Sequence, residues 1–233
     1  MRGLPILLGD GDHPAAREWA ERAAAARGCP LRVVPKNAML SEPAQLVVVA
    51  SEGHGQVHDA IFHSPSMDTA MHATCPVVVI TKPELPDSDI IVAGVDGSPL
   101  SLAALDFALD EARLTGMRVL AVHAWLQPIA TGHDTLVPLP TDLDALQAEN
   151  EAILSEALAG VRTQHPDLDV QAQTVQGTAA TVLIEASKSA ALLVIGSHGR
   201  GPVAGLLVGS VSQAVLHHAH CPVAVTHAPQ APQ

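Results

Sequence analysis

Short runs of uninterrupted apolar residues punctuate this chain: Leu46-Val47-Val48-Val49, Val77-Val78-Val79, Ile90-Ile91-Val92-Ala93-Gly94-Val95, Leu192-Leu193-Val194-Ile195 and Val223-Ala224-Val225. A run apolar at every position, not at alternate ones, predicts a strand covered on both faces, as in a parallel sheet between helices. The segments between the runs carry the other period. After 90–95, Ser98 followed by Pro99 forms an N-cap and a first helical position, and Leu102, Leu105, Ala108 and Ala112 recur at three- and four-residue spacing. Residues 117–124 predict a second strand. Residues 127–140, with three prolines and a glycine, predict a loop. A long helix is expected over 141–163, with Leu143, Leu146, Asn150, Leu154, Leu158 and Val161 on one stripe. A strand at 170–175, a helix capped by Thr178 and running to 189, a strand at 191–195, a helix at 209–218 and a strand at 222–226 complete the pattern. Alternation of this kind predicts an α/β fold with an open, mostly parallel sheet sandwiched by helices.

The pattern occurs twice. Cys75-Pro76-Val77-Val78-Val79 matches Cys221-Pro222-Val223-Ala224-Val225 at an offset of 146, and 46–49 matches 192–195 at the same offset. At the start of each half the offset is 86: Asp10-Gly11-Asp12 matches Asp96-Gly97-Ser98, and 31–34 matches 117–120. The two offsets differ by 60, which places a deletion in the first copy between about residues 35 and 46. The organisation expected is a truncated first domain at 1–82, a linker at 83–88 stiffened by prolines, and a complete second domain at 89–228. A sheet that has lost its middle is expected to lean on the second copy for stability.

The second copy carries the chemistry. Gly196-Ser197-His198-Gly199, nine residues, then Gly209-Ser210 follows a buried strand and ends at a helix start. Glycines let a backbone approach phosphates. Amides at a helix N-terminus are free to donate, and the helix dipole favours an anion. Ser210 and Ser212 add hydroxyls. Asp96, at the end of the first strand of this copy, falls on the same sheet edge, where it can accept from a ribose or adenine or stand near Mg²⁺.

This G-x2-G-x9-G-[ST] pattern resembles the nucleotide-binding signature of the ATP-binding universal stress proteins. The blocks 91–98, 121–125 and 209–225 resemble that family's first strand, second strand, and final helix and strand. The resemblance implies a Rossmann-like fold of the adenine-nucleotide-hydrolase-like kind, present as a tandem repeat, and a role as an ATP-binding or related adenine-nucleotide-binding stress-response module. Carried over by position, Asp96 would meet the adenine or ribose and Ala124 would line the adenine pocket. Ile195 and Gly196 would approach the nucleoside, and His198, Gly199, Gly209, Ser210, Val211 and Ser212 would surround the phosphates. The resemblance also implies that the last strands, 77–81 and 223–226, pair antiparallel as an internal pseudo-dimer. Open edges leave room for a homodimer of whole chains as well.

The first copy is degraded at the same place. Ala50 stands for Gly196 and His63-Ser64 for Gly209-Ser210, while Glu52 and Asp59 bring acid to where phosphates would sit. One nucleotide per chain is therefore expected, in the second copy. Net charge sharpens this reading. The chain carries −12 at neutral pH, of which −10 falls on residues 87–233. Such a surface repels nucleic acid and anionic membranes, so local amides must hold a nucleotide. Three scattered cysteines and no long apolar run fit a reduced, cytoplasmic protein.

Other signals are set aside. His217, His218 and His220 beside Cys221 fit a helix C-terminus better than a zinc site. Asp106, Asp110 and Glu111 are expected on a solvated face, and Cys75 and Cys221 as inert buried thiols. No Walker A lysine motif, dinucleotide fingerprint or nucleophile elbow is present, so binding, with at most slow hydrolysis, is expected rather than catalysis. The competing expectation is a nucleotide-free interaction scaffold with vestigial sites.

Overall fold

The computed structural model describes residues 3–11, 13–35, 38–51, 69, 72–127, 129–131, 136–138, 142–198 and 209–227. Their order is β1 (Ile6–Gly9), α1 (Pro14–Arg27), β2 (Leu31–Val34), β3 (Leu46–Ala50), β4 (Val77–Ile80), β5 (Ile90–Gly94), α2 (Pro99–Thr115), β6 (Arg118–Trp125), β7 (Ile129–Thr131), β8 (Leu136–Pro138), α3 (Leu143–Leu158), α4 (Val161–Gln164), β9 (Val170–Gln176), α5 (Ala179–Ala186), a 3₁₀ turn (Ser187–Ser189), β10 (Leu192–Gly196), α6 (Ser210–His218) and β11 (Val223–Thr226).

Nine strands form one sheet in the order β2-β1-β3-β4-β11-β10-β5-β6-β9. All neighbours are parallel except β4 and β11, which run antiparallel with Val77, Val78 and Val79 opposite Val225, Ala224 and Val223. The all-apolar runs are buried on both faces, as their pattern requires. In β3, Val48 joins the layer under α1 and α2, while Val47 and Val49 join the layer under α5 and α6. The same alternation crosses the antiparallel pair, with Val78 and Ala224 in one layer and Val77, Val79, Val223 and Val225 in the other. Each of these valines contributes roughly 1.5–3 kcal/mol by leaving water, and both core layers run across the β4–β11 pair.

Element bounds on either side of that seam correspond. Shifting β3 and β4 by 146 reproduces the bounds of β10 and β11. The connection between β2 and β3 takes only residues 35–45, whereas 126–191 lie between β6 and β10 and include α3, β9 and α5.

The structure corrects four local expectations. The expected loop at 127–140 contains an antiparallel ribbon of β7 and β8, because prolines suit the ends and edges of short strands. The expected helix over 141–163 begins after Asp142, whose carboxylate accepts from the Asp144 and Ala145 amides. It stops at Leu158, with Gly160 preceding a separate short α4. Leu143 and Leu102, placed on apolar stripes, are half-exposed. Glu111, placed on a solvated face, is 3% exposed and paired with Arg27 of α1. It lies three residues after Ala108, on the buried stripe of α2.

Candidate functional site

The C-terminal ends of the parallel strands carry the predicted residues. β5 leads through Val95 to Asp96 and Gly97, whose φ of 75° needs a glycine for the turn into α2. Asp96 is held in place by its neighbours. Its carboxylate accepts from the Ser98 amide at 2.9 Å, and its own amide donates to Ser101 Oγ at 3.1 Å. Ser98 in turn caps α2 by accepting from the Ser101 amide at 3.2 Å. Beside β5 stands β10, which ends at Gly196 and leads into Ser197 and His198. The connection from β5 crosses to β6 on its other side, so strand order reverses between β5 and β10, where open parallel sheets place ligands.

Gly196 ends β10 against the first turn of α2. A Cβ there would lie 3.0 Å from Leu100 Cβ and 3.1 Å from two backbone atoms of Leu100. Position 196 is therefore a glycine because helix and strand touch. Gly209 differs: its φ is −69°, and an added Cβ would meet only ordinary contacts at 3.5 Å or more. Among the described residues, nothing in the packing requires a glycine at 209.

Gly209 is also the N-cap of α6, and it offers no side chain to the helix. The other described helices of eight residues or more are capped by His13, Ser98, Asp142 and Thr178, whereas α6 has no side-chain cap. Its first-turn amides, those of Ser210, Val211 and Ser212, precede the first intrahelical bond from Gln213 to Gly209 O at 3.0 Å. The end of β10 is stapled to this turn. The Gly209 amide donates to Ser197 O at 3.2 Å, and Ser212 Oγ lies 2.9 Å from Gly196 O and 3.2 Å from Ser197 O. Ser212 is 4% exposed. Its hydroxyl donates to the loop backbone, a positioning role where sequence reasoning expected a phosphate donor. Ser210 is exposed at the helix start.

The remaining predicted residues fall as follows. Ile195 is 4% exposed with its side chain in the core, so only its backbone faces the edge. Val211 packs partly against the same layer. Ala124 lies half-buried in β6 opposite Val175 of β9. His198 is half-buried, with Nδ1 3.1 Å from Ser197 Oγ. Gly199 lies outside the described residues, as do the first-copy positions 52–68.

Contacts and burial fix the places of His123 and of two cysteine thiols. His123 is 5% exposed, donates from Nδ1 to Val95 O at 2.7 Å, and has Nε2 2.9 Å from the Asn150 side-chain amide. Both ring nitrogens therefore tie β6 to its neighbours and neither faces a ligand. The thiols of Cys75 and Cys221 are buried, and burial pushes them up to about 11 and about 12. His217, in the last turn of α6, is held below the usual histidine range by burial and by His218 beside it. Among the described residues no helix is long and apolar enough to cross a membrane.

Sequence and fold agree with one family. Residues 88–227 match the Universal stress protein family. The chain is 41% identical over 197 residues to Universal stress protein Rv2005c of Mycobacterium tuberculosis (strain ATCC 25618 / H37Rv), a match covering 82% of this chain and 65% of that relative. It thus spans a little under two thirds of that relative's length. A putative universal stress protein from Pseudomonas aeruginosa UCBPP-PA14 superposes with a TM-score of 0.63 at 18% identity, covering 97% of this chain and 83% of that one. A universal stress protein from Archaeoglobus fulgidus DSM 4304 superposes with a TM-score of 0.59 at 18% identity, covering 99% and 87%. These two likenesses are of fold, and they extend over both halves of the sheet. With a matching family sequence over 88–227 and a Rossmann-like sheet of nine strands, the chain belongs to the universal stress protein family.

Proposed function

We propose that the second half of this chain, residues 89–228, binds one adenine nucleotide, ATP in the first instance, and acts as a binding module rather than a catalyst. One observation carries the reading. α6 is the one described helix of eight residues or more that begins without a side-chain cap, and it begins at the sheet's switch point. Its cap residue is a glycine that no contact among the described residues requires. An anion fits those amides, and the helix dipole favours it.

The residues fit the parts of a nucleotide by their chemistry. The amides of Ser210, Val211 and Ser212, with His198 and, by its place in the sequence pattern, Gly199, would take the phosphates. Asp96, fixed by the Ser98 amide, would accept from ribose hydroxyls or stand beside Mg²⁺. Ala124 and the backbone of Ile195 and Gly196 would border the base. Ser212 holds the loop to the helix.

The same logic supports two copies of one unit, with a shortened first copy at 1–82, a linker at 83–88, and the β4–β11 pair as their internal pseudo-dimer seam. In the first copy Ala50 ends β3 where Gly196 ends β10, and no nucleotide is assigned there.

Thermal melting in about 100 Kd of ATP with Mg²⁺ tests the reading. Binding to the folded state alone stabilises by about 2.7 kcal/mol, a rise of roughly 5–10 °C for a chain of this size. No shift with ATP, ADP or cyclic AMP at millimolar levels would favour an interaction scaffold without nucleotide.

A further inference from the structure

A cavity of about 210 Å³ lies at the opposite edge of the sheet, where α1, the segment 85–88 and the N-terminal ends of β5 and β10 meet. It is a cleft partly open to solvent, and an enclosed cavity of about 150 Å³ already accepts benzene. This one is large enough for a molecule with two fused rings. Its walls are mainly apolar: Trp19, Ala23 and Ala26 of α1 on one side, Leu85, Ile91 and Leu192 on the other. The two small alanines leave the space beside the indole of Trp19, a surface that suits a flat ring.

The charged groups around it have separate roles. Arg27 is committed, with its guanidinium paired to buried Glu111 of α2 and donating to Ala23 O at 3.2 Å. Arg22, one turn earlier, also lines the cavity. Its pairing with Glu18 is an exposed contact along the same helix, with 70% and 50% of the two side chains in solvent. Such pairs contribute little, so the Arg22 guanidinium can exchange Glu18 for another carboxylate at small cost. Asp87 lines the cavity as well and disfavours a second negative charge.

We propose that this cavity is a ligand site distinct from the nucleotide site, and that it takes a small aromatic monocarboxylate with its ring against Trp19 and its carboxylate on Arg22. The site joins α1 to the linker and to α2, so its occupant would touch both halves of the chain.

The test is calorimetric titration of the full chain with 1-naphthoate, paired with the neutral isostere 1-naphthamide. The expected result is one site per chain with a Kd of roughly 10–1,000 μM for 1-naphthoate. Arg22→Gln should weaken 1-naphthoate about twofold to fivefold and leave 1-naphthamide unchanged. Ala26→Phe, at an exposed position on the rim, should abolish binding of both probes with no loss of melting temperature. Three results would overturn the proposal: no saturable binding up to about 10 mM, equal response of both probes to Arg22→Gln, or retained binding in a natively melting Ala26→Phe chain. The nucleotide titration is independent of all three, because the two sites lie at opposite edges of the sheet.

Discussion

At position 196 a methyl group would press on the backbone of Leu100, and at position 209 it would meet only ordinary contacts among the described residues. The two glycines should therefore separate by experiment. Gly196→Ala forces α2 away from β10 and should cost about 1–3 kcal/mol of stability, the usual range for overpacking a tight contact. Gly209→Ala has an ordinary φ of −69° and should leave the urea midpoint nearly unchanged. Equal destabilisation by both would contradict the assignment of one glycine to packing and the other to a ligand. The spacing of the glycines was legible in the sequence. Their different reasons were not, because one depends on Leu100, ninety-six residues earlier in the chain. Ser212 shows the same limit: its hydroxyl looks like a phosphate donor until the carbonyls of Gly196 and Ser197 are seen beside it.

At the scale of elements, α1 and α2 meet through Arg27 and Glu111, whose side chains are 12% and 4% exposed. Burial lowers the Arg27 guanidinium from its ordinary value, so the pair matters most when one partner is lost. Glu111→Ala should cost about 3–5 kcal/mol by leaving a buried guanidinium unpaired. The double replacement Arg27→Met, Glu111→Leu should recover most of that loss, since an apolar pair of similar volume removes the orphaned charge. A double variant as unstable as Glu111→Ala would show that the cost lies in packing. No rule of composition finds this pair, because a lone acid on a helix reads as solvated. Its place on the stripe of Ala104, Ala108 and Ala112 was the available signal. The central strands β3, β4, β5, β10 and β11 were read well because each carries an uninterrupted apolar run. Helix ends and the β7–β8 ribbon were read less well, because Gly160 and the prolines at 128–140 act through local geometry that period alone does not resolve.

At the scale of the molecule, the β4–β11 pair turns two sheets into one and carries both core layers across the join. Unfolding should then be a single event. Trp19 lies in α1 and Trp125 ends β6, so each half carries its own reporter. Urea transitions followed in Trp19→Phe and Trp125→Phe chains should coincide after correction for the stability of each variant. Two separated midpoints would show that the halves fold independently and that the seam is a weak contact.

The central claim is one nucleotide on the uncapped turn of α6, and calorimetric titration with ATP and Mg²⁺ tests it most directly. The account expects about one ATP per chain. It also expects affinity to fall about tenfold or more in a Gly209→Ala, Ser210→Ala chain that keeps its melting temperature. Stoichiometric binding retained by that variant, or two nucleotides per chain, would contradict it.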